Sequence, residues 1–210
     1  MKGLFSPLIR SLVLTLAVPS FAQAQVTLFA SNLGQASTGG VVVGNNEWDA
    51  QHFITGTNPG GYELDSLQLL MDKASGSPSG FEISIYSSLV NGTPGSSLGS
   101  LSGLDPVAGG VFTYASSSGI MLLPSSSYFV VATAATPVSQ GVYEWSGAGS
   151  YTSSAGWAID EDYARSTDGS SWTTAEGKIA FQMGISATAV PEPTILALAG
   201  LGLACMRYRR

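Results

Sequence analysis

The chain has 210 residues, of which 8 are basic and 14 acidic, so charged side chains make up 10% of it, where about 25% is usual for a soluble domain. One Cys excludes a disulfide scaffold and any multi-Cys zinc or iron–sulfur site, and one His excludes a His-rich metal centre. A net charge of -6 argues against a nucleic-acid surface, and a 44% hydrophobic share with 26 Gly suits a single, mostly β domain.

The N-terminal residues 1–24 read as a secretory signal peptide. Lys2 and Arg10 form the positive region, residues 12–18 a short apolar stretch, and Ala22-Gln23-Ala24 the small-x-small cleavage pattern. The mature chain is then expected to start at Gln25. The apolar stretch ends at Pro19 and is too short to span about 30 Å of hydrocarbon.

Residues 25–190 hold 23 Gly and 28 Ser, placed between apolar runs at turn positions and not as a disordered tract. Tyr62 and Leu64 share one strand phase and Leu67, Leu69 and Met71 the other, which predicts a β-bulge near Asp65-Ser66. Phe81, Ile83 and Ile85 alternate with polar residues, as a half-buried strand requires. Residues 111–115 and 120–123 are shorter strand candidates, and residues 127–132 are apolar on both faces, as in a central strand. Ile179, Phe181, Met183 and Ile185 form a last alternating run. Asn58-Pro59-Gly60-Gly61, Asn91-Gly92, Gly109-Gly110 and Asp168-Gly169 supply the turns between them. No helical periodicity longer than a turn or two appears. The expected fold is all-β: one antiparallel β-sandwich or jelly-roll domain over residues 25–189, between the signal peptide and a short C-terminal hydrophobic helix.

The C-terminus, residues 190–210, has three parts. Pro191-Glu192-Pro193 comes first, then residues 194–206 run without a charge, then Arg207, Arg209 and Arg210 close the chain. Two prolines set a helix start, and arginines beyond an apolar run hold that end on the cytoplasmic side. Thirteen helical residues span only about 20 Å, short for a permanent transmembrane helix. Cys205 reads as a small apolar member of this run. This tail resembles the PEP-CTERM sorting signal of Gram-negative bacteria. The resemblance implies cleavage near Pro191-Glu192-Pro193 by a membrane-embedded exosortase, after export by the secretion machinery and transient holding in the inner membrane.

The middle of the chain has a resemblance of its own, over most of residues 48–186. It is carried by Gln51-His52-Phe53-Ile54-Thr55-Gly56, Tyr62-Glu63-Leu64-Asp65-Ser66-Leu67 and Phe81-Glu82-Ile83-Ser84-Ile85-Tyr86. Leu122-Leu123-Pro124, Gly156-Trp157 and Ser170-Ser171-Trp172 follow in order. This order is similar to the bacterial surface domains called choice-of-anchor R, which implies a surface location and no catalytic residues.

Candidate chemistry is sparse. His52 falls out of phase with Phe53 and is expected to face solvent, and no nucleophile-elbow pattern accompanies it. Asp160 and Asp162 would share a strand face, where calcium would suit two carboxylates, although the spacing does not match an EF-hand. A solvated loop neutralised by Arg165 is the plainer reading, and no other cofactor is implied. Tyr143, Trp145, Tyr151, Trp157, Tyr163 and Trp172 lie within 30 residues. Burial is the commoner fate of such aromatics, and an exposed set of Trp145, Trp157 and Trp172 would offer a stacking surface for sugar rings.

The function expected is that of an exported, non-enzymatic cell-envelope or extracellular-matrix protein, with exosortase as partner. A carbohydrate-binding module, calcium-assisted through Asp160 and Asp162, is the alternative, with extracellular polysaccharide as its partner. A hydrolase would need a cleft joining His52 or the acids to a nucleophile. Residues 25–190 carry 13 acids against Lys73, Arg165 and Lys178, a net of -10, which keeps such a surface soluble.

Overall fold

The computed structural model describes residues 25–150, 152–176 and 179–192. Fourteen strands follow one another in that stretch: β1 (Val26–Ser31), β2 (Ser37–Val43), β3 (Trp48–Ile54), β4 (Tyr62–Gly76), β5 (Glu82–Ser88), β6 (Pro94–Ser102) and β7 (Gly110–Leu122). They continue as β8 (Ser127–Thr133), β9 (Gly141–Ala148), β10 (Thr152–Ser154), β11 (Trp157–Ser166), β12 (Thr173–Glu176), β13 (Ala180–Phe181) and β14 (Met183–Ala189). No helix occurs among the described residues, and none there is long and apolar enough to cross a membrane. The short C-terminal helix expected from the sequence falls outside the described residues.

All the strand pairings are antiparallel. The main hydrogen-bonded path runs β1-β14-β4-β7-β6-β5-β8-β3-β11-β10, with β9, β2, β13 and β12 branching from it. The two ends of the path, β1 and β10, lie against each other, so the sheet is nearly closed and barrel-like. The all-β antiparallel expectation therefore holds, while two separate facing sheets are not seen. The reason lies in the long strands. β4 pairs with β7 along one edge and with β14 and then β9 along the other, so it joins what would be two walls into one curled sheet.

The bend in β4 is the bulge expected from the phase change. Pairing shifts register between Leu64 and Ser66 on both edges, and Tyr62, Leu64, Leu67, Leu69 and Met71 all end up buried. The candidates at 111–115 and 120–123 are one strand, β7, whose residues between Ala115 and Ile120 leave the β4 ladder as Gly119 turns with a φ of 63°. The stretch expected to be central, β8, does lie between β3 and β5 and is buried from Tyr128 onward.

The barrel is filled by aromatics. Trp157 stacks between Phe29 at 5.0 Å and Phe53 at 6.4 Å, with Tyr62 edge-on at 4.8 Å. Trp145 and Tyr163 both pack on Phe181. Polar groups sit among them where the ladder breaks. At Gln182 the chain turns a corner from β13, paired with β9, into β14, paired with β4. Asn32 spans that corner, donating to the Phe181 carbonyl and accepting from the Met183 N–H, while Gln51 accepts from the Phe181 N–H. Two buried amides thus satisfy backbone groups that a regular ladder would have paired.

Candidate functional site

Two regions carry the residues singled out from the sequence. The first is the outer face of β5, β8, β3 and β11. In register across it lie Tyr86, Phe129 and His52, followed by Ser84, Val131, Ala50 and Ala164. Ala50, Phe129, Val131 and Ala164 form a small apolar cluster of their own, separate from the barrel core. Trp172 reaches back over it from the β11–β12 loop and meets Trp48 at 6.5 Å and Tyr86 at 6.3 Å, both edge-on. All three rings stay half-buried.

The loop holds Trp172 in place through Asp168. Its carboxylate accepts the Ser170 and Ser171 N–H groups at 2.8 Å each and the Ser166 hydroxyl at 2.9 Å. These donors hold the Asp168 carboxyl down at about 2. Gly169 follows with a φ of 70° and lies against the Trp48 ring, where a side chain would collide.

His52 lies at the edge of this face, out of phase with the inward Phe53 as expected. It is not free: its Nδ1 contacts the Asp160 Oδ2 at 2.5 Å, and its ring lies 5.0 Å from Phe129. The acidic run 160–162 is a bulge. Three β11 residues oppose one on β3, since Ile159 pairs with Phe53 and Tyr163 with Gln51. The Asp160 Oδ1 accepts the Asp162 N–H at 3.1 Å, and the Gln51 side chain donates to the carbonyls of Asp160 and Asp162. Both Asp160 oxygens are thus engaged within the bulge, and Asp162 points to solvent. No cluster of three acidic, His or Cys side chains able to hold a metal occurs among the described residues.

Burial, the commoner fate, holds for two of the three tryptophans, and the alternative of an exposed set of Trp145, Trp157 and Trp172 does not. Trp145 and Trp157 are 0% exposed. They sit on β9 and β11 in the inward phase with Tyr143 and Ile159, so the core takes them. Only Trp172 stays near the surface, joined there by Trp48 and Tyr86, which the sequence reading missed.

β3 also turns two polar side chains inward, Asp49 and Gln51, both fully buried. Burial pushes the Asp49 carboxyl up to about 7, against the pull of Arg165, whose Nε donates to Oδ1 at 3.1 Å. The Arg165 guanidinium lies 5.4 Å over the Tyr163 ring, and the Asp49 Oδ2 has no protein partner.

The second region is the rim where the chain leaves the barrel. After β14, the Val190 N–H donates to the Gly61 carbonyl at 3.0 Å, and the Val190 carbonyl accepts from Asn58 Nδ2 at 2.9 Å. A Cβ at Gly60 would collide with that carbonyl, so the turn at 58–61 needs glycine to let the chain pass. Pro191 and Glu192 follow, both exposed. Gln25, the first described residue, is exposed at the same rim, because Val26 pairs with Thr188. Ala22, Ala24, Pro193, Arg207, Arg209 and Arg210 lie outside the described residues.

A family model for the PEP-CTERM protein-sorting motif matches residues 189–210. The chain carries a PEP-CTERM sorting signal. That signal marks exported cell-surface proteins of bacteria and implies an exosortase as the processing partner. The match begins at the last residue of β14, so the PEP-CTERM segment follows the last strand in sequence. No curated protein matches the chain.

Proposed function

We propose that this is a non-enzymatic protein of the cell envelope or extracellular polymer matrix of a Gram-negative bacterium, freed from transient inner-membrane holding by exosortase cleavage near Pro191-Glu192-Pro193. The observation that carries this reading is the exit at Val190. The last strand is closed and tied by residues 58–61 before the motif begins, so cutting past Pro191 removes no strand of the barrel. The similarity of residues 48–186 to choice-of-anchor R surface domains belongs to the same reading. The titratable pairs His52–Asp160 and Asp49–Arg165 each brace the fold, one at a bulge and one between buried Asp49 and the partly exposed Arg165. The test is fractionation of cells making the chain, with and without Glu192→Ala. The chain is expected in the extracellular polymer fraction and the variant at the membrane. Accumulation of both in the cytoplasm would overturn the proposal.

A second reading, a carbohydrate-binding module, is favoured by the rings of Trp172, Trp48 and Tyr86 around one outer face. Aromatic faces stack on sugar rings, and polar edges such as His52 and Asp160 would orient hydroxyls. A glycan array with and without EDTA tests it. Binding abolished by Trp172→Ala supports it, and EDTA sensitivity would bring in calcium near Asp162. No binding in either buffer leaves the structural reading.

A further inference from the structure

The loops at the rim from which the tail leaves differ in composition from those at the opposite end of the barrel. Four loops gather there: residues 55–61, 89–93, 123–126 and 155–156. None of them contains a charged residue, and Glu192 is the one charge in the adjoining exit, residues 190–192. The loops at the opposite end of the barrel carry Glu47, Asp105 and Asp168. The acids nearest this rim stand on the strands behind it, Glu63 and Asp65 early in β4 and Asp160, Glu161 and Asp162 early in β11, with Asp162 beside Asn91 and Gly92.

Apolar side chains fill the place of the missing charges. Val90 stands fully out of the hairpin between β5 and β6, and Leu123 is 66% exposed. Leu89, beside Val90, is 51% exposed, and Val26 at the start of β1 is 57% exposed. Leu89, Val90 and Leu123 together border one open cleft of about 410 Å³, floored by Ser126, Ser127 and Tyr128. Contiguous apolar exposure of this kind marks a contact surface.

The chain itself says what can reach that surface. Val190 is tied to the turn at 58–61, and the apolar run of residues 194–206 begins four residues later. The three intervening residues can extend to at most about 10 Å. A bilayer that takes up the run therefore lies within about one headgroup layer of these loops.

We propose that this rim is a lipid-docking surface: while the tail is attached, Leu89, Val90 and Leu123 rest in the headgroup region of the membrane that holds it. Leu89, Val90 and Leu123 stand on loops without charged residues, so these side chains enter that layer without carrying an ion of their own loop with them. Cleavage of the tail removes the tether and leaves a weak contact that releases the domain. This proposal rests on the reading that the tail is held in a membrane.

The test uses the exported, uncleaved full chain in vesicles of phosphatidylethanolamine and phosphatidylglycerol. In a Cys205→Ser background, a fluorophore is placed at Val90→Cys or, on the opposite end, at Ser79→Cys, and the vesicles carry nitroxide-labelled lipid. Flotation reads the tail and quenching reads the rim. The expected result is a floating chain with loss of fluorescence at 90 and none at 79. A floating chain with equal fluorescence at both positions overturns the docking surface alone. A chain that does not float overturns both the docking and the membrane-held tail.

Discussion

Trp157 and Trp172 are 15 residues apart in sequence and lie on opposite sides of the same sheet. Trp157 opens β11 two residues before Ile159, in the inward phase, and disappears between Phe29, Phe53 and Tyr62. Trp172 follows the Asp168-Gly169 turn, outside any alternation, and folds back over Ala50, Val131 and Ala164 from the solvent side. The same side chain is barrel core in one case and lid of a surface cluster in the other. What separates them is whether a neighbour two residues away shares the phase, since the pleat sends alternate residues to one face.

Four substitutions probe that contrast, beginning with the largest effect. Trp157→Ala should cost about 3–5 kcal/mol by chemical denaturation, as for large aromatics removed from a core. A loss below about 1 kcal/mol would place the ring outside the packed interior.

Asp49 probes the interior by charge. Its folded carboxyl sits near 7, above its ordinary value of 3.8. The folded state therefore holds this proton more tightly than the unfolded chain. The protonated carboxyl's contribution is fully present below pH 3.8, declines as pH rises, and is lost above pH 7. The span corresponds to a cost on the order of 4 kcal/mol between those limits. Asp49→Asn should remove this decline, giving a stability that stays nearly level from pH 4 to pH 7 in urea titrations. A variant with an unchanged slope would assign the pH dependence to another group.

Trp172→Ala, on the outer side, should cost about 1–2 kcal/mol, since part of the ring stays exposed. Its loss should leave the near-ultraviolet dichroism of the inner tryptophans intact, whereas a changed inner signal would mean that the two clusters are coupled. The smallest effect belongs to Asp160→Asn. It weakens one charged hydrogen bond to His52 at a partly exposed site and should cost about 0.5–1.5 kcal/mol. Urea midpoints with and without the substitution measure it, and a cost above that of Trp172→Ala would make the bulge a main support of β11.

Legibility followed the same physics. The bulge at Asp65-Ser66 could be read because it flips the phase of five apolar residues. The bulge at 160–162 could not, because its residues are acidic and carry no apolar phase to flip. The inward turn of Tyr143 and Trp145 is visible as a two-residue spacing around Glu144, and the alternative of a stacking surface that included Trp145 gave weight to residue type over phase. Asp49 and Gln51 point inward against every hydrophobicity rule, since their partners, Arg165 and the corner at Gln182, are distant in sequence. Closure into one curled sheet was hidden for a similar reason. It depends on β4 sharing both edges, and pairing partners are not written in a strand's own pattern. The sorting signal was the most legible part, because its three chemistries stand in order over 21 residues at the chain end.

Intact-mass measurement of the exported chain tests the central claim most directly. A mature form that begins at Gln25 and ends near Pro193, without the arginine-rich end, is the predicted result. An exported chain that still ends at Arg210 would contradict it.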